Sequence, residues 1–174
     1  MARHGKVDFR DLDNFRKKIE ENLGGNQIDS FIESCAKELA ARLLAKVVKR
    51  TPVGDYSGDP HSCVTPNGTI NHKGSKVPGK VGGTLRRGWT AGKTQAAHAY
   101  ASSLKVNRSG DTYTIEIVNP VEYASYVEFG HRTRNHEGWV EGHFMLTISE
   151  QEIERDAPRV LENKLKKKLG EVFG

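Results

Sequence analysis

The sequence predicts an α+β domain, in which helices flank a central stretch of short antiparallel strands. Apolar residues recur every three to four positions over 32–47 and again over 145–172, which is the period of an amphipathic helix. Between these segments, residues 98–106 and 112–119 have the composition of strands and enclose a polar loop that contains a glycine, which predicts a hairpin. The chain of 174 residues is expected to form a single domain, residues 1–174, with its own core.

The composition indicates a large solvated surface and a mild basic excess. Charged residues make up 28% of the chain and apolar residues 36%, and 27 Lys and Arg against 22 Asp and Glu leave a net charge of +5. Such an excess permits contact with nucleic acid or with an acidic protein surface but requires neither. Because a signal peptide and a long apolar run are missing, we expect a soluble protein made in a reducing compartment. No membrane association and no disulfide between Cys35 and Cys63 are expected.

Residues 1–25 predict a helical appendage to this domain. Within it, apolar residues step by three and four, as one face of a helix requires, and Gly24-Gly25 closes the run. The residues of this apolar stripe are Phe9, Leu12, Phe15 (or the stem of Arg16), Ile19 and Leu23. The many charges between them predict a helix that lies on the body of the protein with one narrow stripe buried.

The strongest predicted helix begins at Ser30 and is expected to be the main helix of the core. Ser30 and Glu33 have capping-box spacing, so each side chain can satisfy a backbone donor of the other residue. Thr51-Pro52 ends the helix, because proline disfavours helical backbone in the residue before it. The predicted buried face consists of Ile32, Cys35, Leu39, Leu43 and Val47, with Ala36 and Ala40 beside them.

Residues 54–83 predict a long flexible loop that is inserted into the domain. They contain ten glycines and prolines and little apolar periodicity, and a loop of this length in a compact domain is usually functional or disordered. Val64 and Ile70 are placed to flank a small hairpin that turns at Pro66-Asn67-Gly68. Regular structure is expected to resume at Thr84.

The end of the chain predicts a kinked helix. Met145 and Ile148 begin an apolar stripe, and Pro158 interrupts it. Asp156 is placed to cap a second helical piece in which Pro158 occupies the first turn, so a kink is expected near Ala157. The stripe continues through Val160, Leu161, Leu165, Leu169 and Val172.

The aromatic segment 123–130, Tyr-Ala-Ser-Tyr-Val-Glu-Phe-Gly, is the most distinctive stretch of the chain. Pro120 fits a first helical turn and Gly130 a left-handed cap, so a short helix is favoured over an extended strand. Most of these aromatic residues are interpreted as core. Glu128 is the exception, because a carboxylate held between Val127 and Phe129 needs water or a cationic partner.

Two further motifs are too incomplete to predict chemistry. Residues 74–80 match most of a phosphate-binding loop, but Val81 replaces the hydroxyl residue that would hold magnesium. His61, Cys63 and His72 are fewer than the roughly four paired ligands that zinc requires, so they are interpreted as exposed loop residues. The sequence therefore predicts no catalytic residue, no bound metal and no cofactor. A metal-dependent hydrolase built on those three residues is retained as an alternative hypothesis.

Two basic clusters are typical of contact with an anionic partner. Arg132 and Arg134 lie in a loop flanked by aromatic residues, a composition that suits nucleic acid or an anionic protein surface. The alternative is a solvated loop in which Arg132 pairs with Glu128. Near the C-terminus, Lys164, Lys166, Lys167 and Lys168 are interpreted either as the exposed face of a terminal helix or as residues that face DNA.

Three segments resemble the small tail-completion proteins of tailed bacteriophages, a family of head–tail joining and minor tail proteins. The first segment has two halves, Thr51-Pro52-Val53-Gly54 and residues 83–89. The family has Thr-Pro-Val in the first half and Thr-Gly-x-Leu-Arg in the second. In this chain the Thr and Gly of the second half are swapped, and a glycine-rich insertion separates the two halves. The second is 123–130, close to Tyr-Ala-x-Tyr-Val-Glu-x-Gly. The third is His143-Phe144-Met145, where the family has Pro-Phe-Leu. The resemblance covers roughly residues 30–170, the size of a single domain.

This resemblance implies a small antiparallel β-sheet packed by the long helix and by the kinked C-terminal helix. It implies a structural virion protein without catalysis, a tail-completion or neck subunit. That subunit would form a ring, expected to be a hexamer, at the head–tail junction or the head-proximal tail end. The expected partners are copies of itself, a tail tube or tail terminator protein, a head connector protein and passing DNA. The expected location is the virion, after synthesis in the host cytoplasm.

The candidate assembly interface lies in and after the aromatic segment. It consists of Tyr123, Tyr126, Glu128, Phe129, Arg132, Arg134 and Trp139. The alternative function is a nucleic-acid-binding module that uses the basic loop and the C-terminal lysines.

Overall fold

The computed structural model describes residues 24–56, 61–65, 68–72, 82–92, 96–110 and 112–173. The helices within these ranges are α1 (Gly25–Arg50), α2 (Thr84–Gly88), α3 (Ala97–Ser103), α4 (Ala124–Phe129) and α5 (Met145–Phe173). The strands within them are β1 (His61–Thr65), β2 (Gly68–His72), β3 (Asn107–Ser109), β4 (Thr112–Thr114), β5 (Gly130–Arg132) and β6 (Trp139–Glu141). The predicted N-terminal helix over 9–23 and the motif at 74–80 lie outside the described residues.

The predicted α+β class is confirmed. In the described part of the chain the strands form three separate two-stranded antiparallel ladders, β1–β2, β3–β4 and β5–β6. Around them lie two long helices, α1 and α5, which contact each other and account for most of the regular structure.

Helix α1 is the main core helix, as predicted, but it starts earlier. It begins at Gly25, so Ser30 lies inside the helix and the predicted capping box at Ser30 is wrong. The end is confirmed, because Thr51 follows the last helical residue and its N–H donates to the carbonyl of Val47 (2.9 Å). The buried residues are Cys35, Ala40, Ala41, Leu44 and Val47.

The buried face of α1 is therefore rotated from the predicted one. Leu39 and Leu43 are half-buried, whereas Ala41 and Leu44 lie fully in the core. The small alanines allow neighbouring elements to approach the helix closely, and α3 is the element that uses this space. Cys35 is a free thiol at the edge of this face, and burial raises its pKa above the usual value.

The predicted strand at His98–Val106 is wrong, because Ala97–Ser103 forms helix α3. Ala97, Tyr100, Ala101 and Leu104 all pack on the core, and their spacing of three and four residues is that of a helix. A hairpin does form here, but its first strand, Asn107–Ser109, lies in the predicted loop, with Asn107 opposite Thr114 and Ser109 opposite Thr112. Residues 115–120 have no regular structure, although a strand was predicted to continue through them.

The β3–β4 hairpin is attached to the start of α1 through one carboxylate. Asp29 accepts hydrogen bonds from the guanidinium of Arg108 and from the hydroxyl of Tyr113. The hydrogen bond to Asp29 raises the pKa of Tyr113 above its usual value. This contact helps to explain why α1 begins before Ser30, because it holds Asp29, the residue just before the predicted start.

A hairpin is present within the predicted insertion over 54–83. Strands β1 and β2 pair antiparallel, with Val64 opposite Thr69 and Thr65 opposite Gly68, which confirms the predicted hairpin around that turn. The flexibility of the surrounding segment, the single-domain organisation and the appendage at 1–25 stay predictions.

The core lies where α1, α2, α3 and the start of α5 meet. Leu44, Val47 and Met145 are almost fully buried there, together with Leu85 and Trp89 from α2 and the residue that follows it. Full burial of a side chain such as Leu44 or Met145 stabilises the fold by about 1.5–3 kcal/mol relative to exposure.

Helix α5 is continuous and runs antiparallel to α1. Lys46 donates to Glu152 (2.7 Å), and Arg50 donates to Glu152 (2.9 Å) and to the hydroxyl of Ser149 (2.7 Å). The hydrogen bond from Lys46, with the charge of Arg50, holds the pKa of Glu152 below its usual value. Near the other end of the pair, Lys164 donates to the carbonyl of Ser34 (2.6 Å).

Two predictions for α5 are wrong. Asp156 does not begin a second helical piece, because the helix is continuous from Met145 to Phe173 with Pro158 inside it. Asp156 instead lies 3.8 Å from the ammonium group of Lys46. The predicted apolar stripe is not buried throughout, since Leu165 and Leu169 are exposed. A kink at Pro158 stays a prediction. No helix among the described residues is long and apolar enough to span a membrane.

Candidate assembly surface

The aromatic segment forms helix α4 and then strand β5, and it leaves aromatic side chains on the outside. The exposed fractions are 45% for Tyr123, 58% for Tyr126, 60% for Phe129 and 63% for Trp139. We call these four residues the aromatic surface. The short helix is confirmed, but the interpretation of its aromatic residues as core is wrong for these side chains. Pro120 also lies outside the first helical turn, because α4 begins at Ala124.

The first three members of the aromatic surface share one side of α4. Tyr123, Tyr126 and Phe129 are spaced by three residues, which places them next to one another along the helix. Val127, one turn after Tyr123, is half-buried and packs against the core. Helix α4 has only six residues, so it depends on the packing of Val127 against the core and on contacts with neighbouring elements to stay in place.

Glu128 is buried beneath the aromatic surface and caps helix α5. Only 5% of the residue is exposed. Its carboxylate accepts hydrogen bonds from the backbone N–H groups of Leu146 and Thr147, both at 2.9 Å, and from the hydroxyl of Thr147 at 2.8 Å. These are orphan donors of the first helical turn, and a negative charge at a helix N-terminus is also favoured by the helix dipole.

The partner of Glu128 is thus a helix N-terminus, and the predicted cationic partner is wrong. Arg132 is exposed and does not pair with this carboxylate. Two backbone bonds reinforce the connection: the N–H of His143 donates to the carbonyl of Val127 (2.8 Å), and that of Phe144 to the carbonyl of Glu128 (3.0 Å). Phe144 has φ +47°, a conformation that a bulky residue adopts only under constraint.

The chain reverses after α4 in a tight β5–β6 hairpin. Gly130 has φ +84° and ψ 173°, so the expected positive φ is present, but the ψ angle makes this an extended, glycine-specific conformation and not a left-handed helical cap. Gly142, which follows β6, lies close to the backbone at the end of α4: a Cβ at this position would lie 2.6 Å from the carbonyl carbon of Phe129. These two glycines let β6 run directly against the end of α4.

The hairpin carries the two predicted arginines beside the aromatic surface. Arg132 lies opposite Trp139 in the ladder, and Arg134 begins the turn that follows. The turn is closed by Thr133, whose N–H donates to the carbonyl of Gly138 (3.0 Å). Both arginines are exposed, and neither forms an ion pair with another residue of the described part of the chain. Their positive charge therefore faces the solvent next to exposed aromatic rings.

A groove of about 510 Å³ adjoins the aromatic surface. It lies between α4 with the β5–β6 hairpin on one side and residues 52–56 and 82–85 on the other. Tyr123 and Tyr126 line it, together with His131, whose ring lies edge-on to Tyr126 with 5.7 Å between the ring centres. The Nδ1 atom of His131 is buried and has no hydrogen-bond partner among the described residues. The sequence places this histidine, like the exposed His136, in a cationic loop, and nothing in its neighbours along the chain predicts the burial of its Nδ1 atom.

The two halves of the first family-like motif meet at Thr51. Its hydroxyl donates to the carbonyl of Val47 (2.6 Å) and accepts from the indole Nε1 of Trp89 (2.8 Å). Its carbonyl accepts from Nε and Nη2 of Arg86, at 3.1 and 2.7 Å. Thr51 is completely buried, so these bonds replace the water that its polar atoms lose. The motif is therefore structural: it fastens the end of α1 to α2 across the insertion.

The C-terminal lysines divide between two environments. Lys164, Lys167 and Lys168 line a cleft between the start of α1 and the end of α5. Lys166 points elsewhere and pairs with Glu162, one turn earlier on the same helix, at 2.6 Å. Three of the four predicted DNA-facing lysines are thus brought together, at the end of the molecule where α1 begins.

The structure gives no support to the hydrolase alternative. The β1–β2 register places His61 directly opposite His72, but their side chains and that of Cys63 lie outside the described part of the chain. Among the side chains that are described, no group of three or more His, Cys, Asp or Glu residues is placed to hold a metal ion.

The exposed aromatic rings and the two arginines thus lie on α4 and the β5–β6 hairpin of an α+β domain. The HK97-gp10-like family, whose description reads "putative tail-component" of a bacteriophage, matches residues 13–130. Because this match spans well over half of the chain, the protein belongs to that family of phage tail components. It is accordingly assigned to the tail of a virion, where it contacts other virion proteins. No curated protein matches the chain, and no solved structure matches it.

Proposed function

We propose that this protein is a structural tail-completion or neck subunit, which assembles with copies of itself into a ring at the head–tail junction or the head-proximal tail end. The observation that carries this proposal is the aromatic surface of a phage tail component, because rings at 45–63% exposure are costly to leave in water unless a partner covers them. Aromatic residues and arginine are the residue types that dominate protein interfaces.

The rigidity of the hairpin also supports an assembly role. Glu128 ties α4 to α5, and Gly130 and Gly142 allow β6 to pack against the end of α4, so the backbone that carries the exposed side chains is ordered before any partner arrives. A surface that is ordered in advance loses less conformational entropy on docking. A ring further requires a head-to-tail contact, in which two different patches of each subunit meet. The groove beside the aromatic surface provides a second, concave patch.

The expected ring is a hexamer, and the expected partners are a tail tube or tail terminator protein and a head connector protein. Packaged DNA would pass through such a ring. In that arrangement, no residue of the chain acts as a catalyst, and the aromatic surface acts only by binding.

A paired substitution tests the proposal. Tyr126→Ser with Trp139→Ser removes two rings from the aromatic surface, whereas Val118→Ser removes an apolar side chain that is 57% exposed elsewhere. The first variant is expected to fold, to lose concentration-dependent assembly by native mass spectrometry, and to yield particles with unjoined heads and tails. The Val118 control should assemble normally. Normally joined particles from the double variant, or from an infection that lacks the protein altogether, would rule out the proposed role.

The second candidate function is binding of duplex DNA through the terminal lysines, which the cleft lined by Lys164, Lys167 and Lys168 favours. Binding should weaken steeply with salt, by about 0.9 logarithmic units per decade of salt for each phosphate contact. Replacing Lys167 and Lys168 by glutamate should abolish it, while the same change at the exposed Lys49 and Lys105 should reduce it only slightly. No binding of a 30-base-pair duplex at low salt would exclude this function.

A further inference from the structure

The second half of α5 turns leucines outward and lysines toward α1. Leu165 is 45% exposed and Leu169 36% exposed, and they share one side of the helix with the half-buried Leu161, since these residues are four apart. We call these three residues the leucine stripe. Lys164 and its neighbours in the cleft occupy the side that faces α1. This is the reverse of the usual arrangement, and it leaves an apolar helix face without a partner in the described part of the chain.

The chain enters the described structure at the same end of the molecule as this stripe. Because α1 and α5 are antiparallel, with Ser34 against Lys164, the start of α1 lies next to the end of α5. Asn26, in the first turn of α1, lines the same cleft as Lys168. Ile28, 43% exposed, adds apolar surface at this end of the molecule.

The backbone at Gly24 shows that α1 does not simply continue toward the N-terminus. Gly24 has φ −54° and ψ 153°, an extended conformation outside the helix. A glycine pair at 24–25 allows the chain to change direction at this point. Whatever precedes Gly24 can therefore fold back along α5.

The preceding segment has the pattern that would cover the leucine stripe. Residues 9–23 lie outside the described part, and their sequence predicts an amphipathic helix with a narrow apolar stripe. Such a helix would be about 22 Å long, and the stretch of α5 from Leu161 to Phe173 is about 20 Å long, at 1.5 Å per residue. Asp13 and Glu20 would flank the apolar stripe on one side, and Lys168 flanks the leucine stripe, so the charges are complementary.

We propose that residues 9–23 dock on the leucine stripe of α5 within the same chain. Their apolar stripe then covers the exposed leucines, and their acidic flank meets the lysines near the end of α5. A second copy of the protein and a duplex that binds the same lysines are the competing occupants. This inference does not depend on the proposed role in the virion.

Hydrogen–deuterium exchange on the full chain tests the proposal with two charge-matched variants. Leu12→Glu with Ile19→Glu places two negative charges in the predicted stripe, whereas Arg10→Gln with Asn14→Glu changes the net charge by the same amount on the predicted outer side. The first variant should speed amide exchange over 161–173 by about tenfold and leave 145–156 unchanged, because docking of 9–23 protects only that end of α5. The second variant should exchange like the original protein.

The outcomes separate the possible occupants. Exchange over 161–173 that is identical in both variants and in the original protein would overturn the docking. Protection that weakens on dilution would assign the stripe to a second copy and overturn the assignment within one chain. Removal of residues 1–23 gives an independent check, since it should speed exchange over the same peptide as much as the stripe variant does.

Discussion

The carboxylate of Glu128 makes the most specific contact in the molecule, and its removal has a predictable cost. Glu128→Ala leaves the N–H groups of Leu146 and Thr147 without the partner that they have at 2.9 Å. Hydrogen bonds to a charged group are worth about 1.5–3 kcal/mol each, and both donors lie in half-buried residues, so the lower figure applies. The expected loss in the free energy of unfolding is therefore about 3 kcal/mol.

Glu128→Gln tests the contribution of the hydrogen-bond acceptor separately from that of the negative charge. The amide keeps one acceptor oxygen but loses the negative charge at the N-terminus of α5, so a loss of about 1.5 kcal/mol is expected. The matched control is Glu150→Ala, which removes an exposed carboxylate from the same helix and should cost less than about 0.5 kcal/mol.

Urea unfolding followed by far-ultraviolet circular dichroism measures all three variants. The order of stability should be Glu150→Ala above Glu128→Gln above Glu128→Ala, with unchanged dependence on urea concentration. A Glu128→Ala protein within about 1 kcal/mol of the Glu150→Ala control would refute the assignment of Glu128 as the cap of α5. Equal losses for alanine and glutamine would refute the importance of the retained acceptor.

Three further predictions concern the contacts that hold the rest of the fold. Thr51→Val leaves the buried indole N–H of Trp89 unpaired and should cost about 1–3 kcal/mol in urea unfolding followed by tryptophan fluorescence; an unchanged midpoint would contradict it. Gly142→Ala forces a Cβ into the backbone of α4 and should reduce the yield of folded protein sharply, whereas Gly110→Ala, with φ +60° but open space around it, should cost only about 1 kcal/mol. The lowered pKa of Glu152 contributes stability that is fully present above its unfolded pKa of about 4.3 and is lost as the pH falls through the lower folded pKa. Glu152→Gln should therefore cost up to about 1 kcal/mol at pH 7 and progressively less as the solution is acidified, and a cost that does not change with pH would show that the charge is irrelevant.

The sequence predicted the elements that depend on local pattern. The period of α1, its end at Thr51-Pro52, the β1–β2 hairpin and the short helix α4 all follow from residues within a few positions of one another. The family followed from three short motifs, and the match over 13–130 confirms it.

The missed features depend on contacts between distant segments. At 97–104, alternation and helical spacing both fit the apolar residues, and only the packing of Ala101 against α1 decides for a helix. The partner of Glu128 lies 18 residues further along the chain, so its burial and its role as a cap cannot be read from its neighbours. Whether Tyr126 is core or surface could not be decided from the sequence for the same reason, because an aromatic residue is core or surface according to what lies opposite.

The link between Glu128 and α5 has a mechanical consequence. The carboxylate of Glu128, together with two backbone hydrogen bonds, joins α4 to the segment that begins the 29-residue helix α5. Tension applied to α4 is therefore carried into the 29-residue helix α5 and, through the ion pairs of Lys46 and Arg50, into α1. Strain at α4 spreads in this way over two long helices before any single contact has to open.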